Sequence, residues 1–298
     1  MAHHHHHHHN HANDQNALAN LKVAFFLNLL FTVIEIVGGL FTNSLAILSD
    51  ALHDLGDSLS LGLAWYFQHL SRKGRDTKFS YGYKRFSLLG AIINSIVLIV
   101  GSVFILKEAI PRLIDPQSSN AQGMVLLAIF GVIINGAAVL RLKKGSSHNE
   151  KVVSLHLLED VLGWVAVLIG SVIMMFTDWY IIDPILSVGI AAFILFNVYN
   201  GLKSSLKIIL QAIPENIEME EISKVIEQIN GVASIHDLHV WSLDGEKNVL
   251  TVHVVLEKDF SQQHIIKNEI SAAMEQFDIN HCTIETELEG EDCVLVDC

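Results

Sequence analysis

The sequence predicts a polytopic α-helical membrane body followed by a small acidic α+β domain, and three observations predict it. Of 298 residues, 51% are hydrophobic and only 17% charged, with 4 prolines. Residues 21–211 hold repeated apolar stretches long enough, at about 1.5 Å per residue, to cross a hydrocarbon core of about 30 Å. The net charge of −13 is also unevenly placed: residues 212–298 carry 19 Asp and Glu against 4 Lys and Arg, and residues 1–211 carry 13 against 15. A −15 tail on a +2 body excludes one large soluble core.

The elements follow in order. Residues 1–20 form a histidine-rich leader, either an expression tag or a natural metal-collecting tail; no A-x-A-like cleavage region follows Lys22, so it does not read as a signal peptide. Six transmembrane helices are expected at 21–42, 46–70, 87–107, 121–142, 152–176 and 180–209, because a bilayer leaves backbone groups no water to bond. The link SRKGRDTKFSYGYKR holds six basic residues and RLKKGSSHNEK four, so both face the cytoplasm. FTNS and TDWYIID hold no Lys or Arg, and the link around Pro111 and Pro116 holds few; these face outward. An even number of spans then leaves both termini cytoplasmic. The cysteines Cys282, Cys293 and Cys298 make no disulfide framework, which agrees with a reducing side. Domains of 1–20, 21–211 and 212–298 result.

Pro214 and Glu215 stop the last long helix. Apolar positions at helical spacing over 217–229 predict a helix, and HDLHVWSL and NVLTVHVVLE predict two strands around the turn DGEK, where Gly245 suits a positive φ. Residues 262–276 read as a second helix and CTIETELE as a third strand. Helices on one face of a three-stranded sheet give a small ferredoxin-like α+β domain.

Ionised groups inside membrane spans are expensive and point to function. The second span places His53 and Asp57 four residues apart, with Asp50 one turn earlier; the fifth places His156 and Asp160 at the same interval. Packed side by side, these helices bring two imidazoles and two carboxylates to one point, the donor set that a tetrahedral Zn²⁺ accepts. The bland alternative is that the groups pair with one another as helix-helix glue. Asp54, beside His53, is expected on another face toward a water-filled vestibule, and Glu159 raises the same question beside Asp160. Glu35, Asn94, Asn135, Asp183 and Asn197 are equally compatible with packing and with ion contact, Glu35 and Asp183 being carboxylates of interest on the path. Trp65, Trp164 and Trp179 read as packing or interfacial anchors. Imidazoles bind either metal or protons in the pH range of a cell, and no nucleotide motif is present, so metal-proton exchange is the expected drive.

In the tail, His236, His239, His253 and His281 lie on or beside strands and His264 on the second helix. His236 and His239 are three apart, so a regular strand cannot turn both to one site without a bend. A regulatory metal site of His236, His253, His281 and Glu287 is expected, with a terminal cysteine of a neighbouring chain as a further donor. The bland reading of each is a surface or core histidine.

The segments SLAILSDALHDLGD, YGYKRFSLLGAIIN, SLHLLEDVLGW, DPILS, HDLHVW and LTVHVVLE together resemble the cation diffusion facilitator family, the zinc-transporter and cobalt-zinc-cadmium resistance group, over about residues 20–290. The resemblance implies a homodimer in the bacterial cytoplasmic membrane that exports Zn²⁺ against inward proton flow. It also implies cytoplasmic, metallochaperone-like tails that sense metal. His53, Asp57, His156 and Asp160 match the transport ligands of zinc-selective members; Cd²⁺ and Co²⁺ remain open as cargo. Arg85 matches a basic residue that holds the dimer near the membrane boundary. RDTKFSYGYK contains no histidine, so the extra site that some members carry there is expected to be missing. Glu285 and Glu287 stand where some tails have a His and an Asp. Protons and membrane lipid complete the partners; no nucleic acid, organic cofactor or enzymatic activity is expected. The alternative is a metal-gated channel or a membrane-bound sensor signalling through its acidic tail.

Overall fold

Asn43 takes a left-handed φ of 53°, and there the chain leaves α1 (His11–Thr42) and turns into α2 (Leu45–Ser71). Asparagine tolerates that conformation at a helix end. α3 (Phe86–Ile114), α4 (Ala121–Leu142), α5 (His148–Thr177) and α6 (Ile182–Ile209) follow. The structure, a computed structural model, describes residues 11–71, 73–142, 148–257 and 263–291. Side chains are described for 25–63, 66, 67, 70, 73–137, 139, 140, 158–257 and 263–291. Helices occur at all six expected places. α1 begins ten residues earlier than expected, and α3 runs through Pro111 to Ile114, with the Asp115 N–H donating to the Pro111 carbonyl.

Among the described residues, four stretches are long and apolar enough to cross a membrane: Phe25–Thr42, Phe86–Ile114, Leu158–Thr177 and Ile182–Ile209. α4 contributes the shorter apolar segment Ala121–Ala137. α2 is not among these stretches; it carries Asp50, Asp54 and Asp57. The long helices expose large apolar side chains, among them Phe41, Ile114, Leu126 and Phe176. In water such faces would be costly; in lipid they meet a solvent of their own kind.

The chain forms two compact units, Met1–Tyr66 with Gly90–Gly201 and Phe67–Leu89 with Leu202–Cys298. In the first, Phe31, Ile47, Met124, Trp164, Val167 and Met174 form a buried cluster. Trp164 is a packing residue, 1% exposed, and it lies over Gly131 of α4, where an added Cβ would come within 2.2 Å of the indole. That glycine lets α4 and α5 approach closely, and α5 carries Asp160.

The second unit contains the link between α2 and α3 together with α7 (Met219–Glu227), β1 (Val232–Ser242), β2 (Asn248–Leu256), α8 (Gln263–Met274) and β3 (Ile279–Leu288). β2 is central, antiparallel to β1 and parallel to β3. Gly245 has a φ of 95° in the β1–β2 turn, as its place there requires. Ile222 and Ile226 of α7, Ile266, Ile270 and Met274 of α8, and Leu250, Val252, Val254 and Leu256 of β2 share one core. Since side chains alternate along a strand, Thr251, His253 and Val255 project from the opposite face.

Candidate metal centres

An interval of four returns a helix to the same face. On α2 this brings His53 and Asp57 together, and Asp160 of α5 joins them. His53 Nε2 lies 3.9 Å from Asp57 Oδ2 and 3.7 Å from Asp160 Oδ1. One ligand atom from each lies within 4.8 Å of the other two. Donors around a tetrahedral Zn²⁺ stand about 3.4 Å apart, given bonds of about 2.0–2.1 Å, so the three groups are close to a cation-binding arrangement. The Asp57 side chain is 29% exposed against 10% for Asp160, which leaves the approach on the Asp57 side. The Phe193 ring meets His53 edge-on at 6.5 Å. His156 belongs to α5, four residues before Asp160; its side chain lies outside the described residues.

Three more carboxyls are buried on α1 and α2: Glu35, Asp50 and Asp54, at 1%, 6% and 5% exposure. Asp54 does not look onto a vestibule. Its carbonyl accepts from Asn28 Nδ2 of α1 at 3.0 Å, and its carboxyl touches that of Glu35. Both oxygens of Glu35 lack a hydrogen-bond donor; two carboxyls in contact bond only when one carries a proton. Glu159 and Asn197 are exposed, and Asn94 donates to Ser60 Oγ at 2.7 Å. Asp183 is engaged at the start of α2, away from His53. Trp179 is 65% exposed, whereas the side chain of Trp65 lies outside the described residues.

The tail group sits on the sheet face opposite the helices. His236 and His253 are cross-strand partners with ring centroids 5.2 Å apart. Glu287 Oε1 lies 2.8 Å from His253 Nδ1 and 3.5 Å from His236 Nε2. His236 Nε2 is buried without a hydrogen-bond partner, a nitrogen that a metal ion would satisfy. With two imidazoles and a carboxylate oxygen within 4.8 Å of one another, these residues fit a Zn²⁺ ligand set.

His281 does not join them. On β3 it stands opposite Val249, while Glu285 stands opposite His253. Four residues along a strand are about 13 Å. Its ring instead meets Tyr81 of the α2–α3 link edge-on at 5.7 Å. Cys282 packs on the core side, where burial raises its thiol pKa; Cys293 and Cys298 lie outside the described residues. His264 is exposed on α8.

The missed residue is Asp237. The register shifts between His236 and His239, which pair with His253 and Thr251, so β1 contains one extra residue there. Asp237 takes a φ of 48° in this bulge. The extra residue turns both histidines to one face, the bend that regular alternation lacks. Asp237 Oδ1 lies 2.8 Å from His239 Nε2 and Oδ2 3.8 Å from His253 Nε2, with Glu285 Oε2 3.5 Å from the same nitrogen. Two histidines three apart on a strand were the available signal.

Residues 21–210 match the cation efflux transmembrane domain, and residues 214–289 the cytoplasmic domain of cation efflux proteins. The metal cation efflux system protein CzcD of Cupriavidus metallidurans is 37% identical over 272 residues, 90% of this chain and 86% of that protein. A cadmium, cobalt and zinc/H(+)-K(+) antiporter of Bacillus subtilis is 35% identical over 93% of this chain and 92% of its own length. The zinc transporter ZitB of Escherichia coli is 32% identical over 99% and 96%. Among solved structures, the metal-bound C-terminal domain of the Cupriavidus CzcD transporter is similar at 38% identity, covering 24% of this chain and all of that one, with a TM-score of 0.23. Proteins of this kind are transporters and not enzymes, and the chain is a multi-pass protein of the bacterial inner membrane. It belongs to the cation diffusion facilitator family of divalent metal transporters.

Proposed function

We propose that this protein exports Zn²⁺ from the cytoplasm in exchange for protons, by alternating access at His53, Asp57, His156 and Asp160. The observation that carries this is the convergence of His53, Asp57 and Asp160 on helices of the membrane body, at separations near those of a tetrahedral cation site. ZitB is a zinc transporter and the Bacillus subtilis relative a cadmium, cobalt and zinc antiporter, which leaves Cd²⁺ and Co²⁺ as further cargo. The same imidazoles that release the cation take up protons, so one site serves both directions. His156, one turn from Asp160, supplies the fourth donor.

In this reading all six long helices span the membrane as residues 21–211, both termini are cytoplasmic, and residues 212–298 form the cytoplasmic domain. The basic links between α2 and α3 and between α4 and α5 support that orientation. The working form is a homodimer, and Arg85, just before α3, is the basic residue assigned to holding it near the membrane boundary. His236, His253 and Glu287 bind a regulatory Zn²⁺, and His281 docks on the α2–α3 link. When bound there, the ion would clamp β1, β2 and β3 together; it takes no part in moving the cargo.

The test is zinc uptake into reconstituted vesicles under an imposed pH gradient, with the intact protein, Asp57→Ala and Asp160→Ala. The proposal requires loss of flux in both variants. Flux indifferent to the gradient would identify a channel, and metal binding without any flux a sensor.

A further inference from the structure

Every α-helix opens with amide donors that have no partner inside it. At the start of α2 these donors are met from another helix. Asp183, in the first turn of α6 and 2% exposed, accepts from the Leu45 N–H through Oδ2 at 2.8 Å and from the Ala46 N–H through Oδ1 at 3.2 Å. Ser44 Oγ donates to the same Oδ1 at 2.5 Å while accepting from the Ile47 N–H at 3.2 Å. One turn on, Ser49 Oγ and Ser187 Oγ are 2.9 Å apart. The matches advance by four residues in both helices, from 45 with 183 to 49 with 187. The next equal step reaches His53 on α2 and Ala191, fully buried, on α6. α6 thus holds α2 at a fixed axial level on the two turns preceding its first ligand.

From this we propose that Asp183 is a positioning residue: by accepting from the first turn of α2 it sets the register of that helix, and so holds His53 and Asp57 level with Asp160. The inference rests on the reading of those three as transport ligands. Asp183 does not touch the cation. An axial slip of α2 by one residue is about 1.5 Å, enough to break a donor set whose separations are now 3.7 and 3.9 Å.

A positioning role and a purely structural one separate in the kinetics. Loss of stability lowers the folded fraction, and with it the maximal rate, but leaves the KM of the folded molecules alone. Misplaced ligands raise KM for zinc. Proteoliposome flux is therefore measured over a range of zinc concentrations for the full chain, Asp183→Ala, Asp183→Asn and Asp57→Ala. The expected result is a KM raised about 10-fold in Asp183→Ala, the scale on which residues that orient metal ligands act. Asp183→Asn keeps the volume, so it guards against misfolding. Its amide offers one acceptor and turns a donor on the helix start, so its KM should lie between the other two. An unchanged KM in Asp183→Asn, whatever the maximal rate, overturns the proposal. Undiminished flux in Asp57→Ala overturns instead the reading of the ligands on which it rests.

Discussion

The membrane group and the tail group use the same chemistry, imidazole nitrogen beside carboxylate oxygen, but build it in opposite ways. On α2, His53 and Asp57 share a face because four residues nearly complete a helical turn, and the third member arrives on a second long helix. On the sheet, His236, His253 and Glu287 come from three strands, and their assembly depends on register and on one inserted residue. The first is fixed by local spacing plus one packing event; the second is non-local throughout. In the membrane each buried charge costs free energy that a bound cation or proton must offset. The tail side chains are buried to a similar degree, at 23%, 9% and 13% exposed for His236, His253 and Glu287 against 17%, 29% and 10% for His53, Asp57 and Asp160, so burial alone does not set the two groups apart. A site for cargo gains from that free-energy cost, since it must also let go, whereas three paired strands hold the tail donors in one register.

The largest test of the distinction is to remove one ligand from each. Asp160→Ala should lower proton-driven zinc flux by more than about 100-fold, beyond the loss usual for residues that merely orient a ligand. Metal bound by the tail should be unaffected, as read by zinc stoichiometry at equilibrium. His253→Ala should do the reverse. Tail affinity falls by about 100-fold, because His253 is the central member of its group, while flux falls by about 5-fold, the scale of coupling between distinct sites. If His253→Ala abolished flux outright, the two groups would not be separable in function.

How far each group was legible follows from the same contrast. Helical spacing alone set His53 with Asp57, and the six helices lie where apolar length and basic links place them. The tail elements were equally legible, from periodicity, a turn glycine and the second helix-then-strand unit. Sequence could not give what depends on strand register. His281 shares β3 with Glu287, but it lies two pleats from Glu285, and its ring went to Tyr81. Asp237 was hidden by a bulge that spacing only hinted at. Asp54 departs from expectation for a related reason: neighbouring residues on a helix do point apart, but the face beside the ligands packs against Glu35 of α1 and leaves Asp54 buried.

Packing behind the ligands gives a smaller effect. Gly131→Ala would drive a methyl to within 2.2 Å of Trp164 unless α4 and α5 separate. Overpacking of this kind costs about 1–3 kcal/mol, to be measured as a lowered thermal midpoint of the purified protein. Since Asp160 is one turn from Trp164, zinc flux should fall as well, with tail metal binding intact. His281→Ala should be milder still. Tail zinc affinity should stay within about 2-fold of the parent, against about 100-fold for a ligand; a larger loss would return His281 to the tail group.

The smallest expected change concerns pH. Asp76 in the α2–α3 link accepts from the Tyr83 hydroxyl at 2.7 Å and from the Lys78 and Phe79 amides at 2.8 and 2.9 Å. The tyrosine first, then the two amides, hold its pKa down to about 2. A carboxylate with a depressed pKa contributes its stabilisation above its unfolded value, about 3.9, and loses it as pH falls through the folded value. Across pH 5 to 8 Asp76 therefore stays ionised in both states. Asp76→Asn should weaken the link without moving the pH profile of zinc flux. Displacement of that profile toward neutral pH by this variant would place proton coupling partly in the link; an unmoved profile leaves it with the histidines and carboxyls of the membrane body.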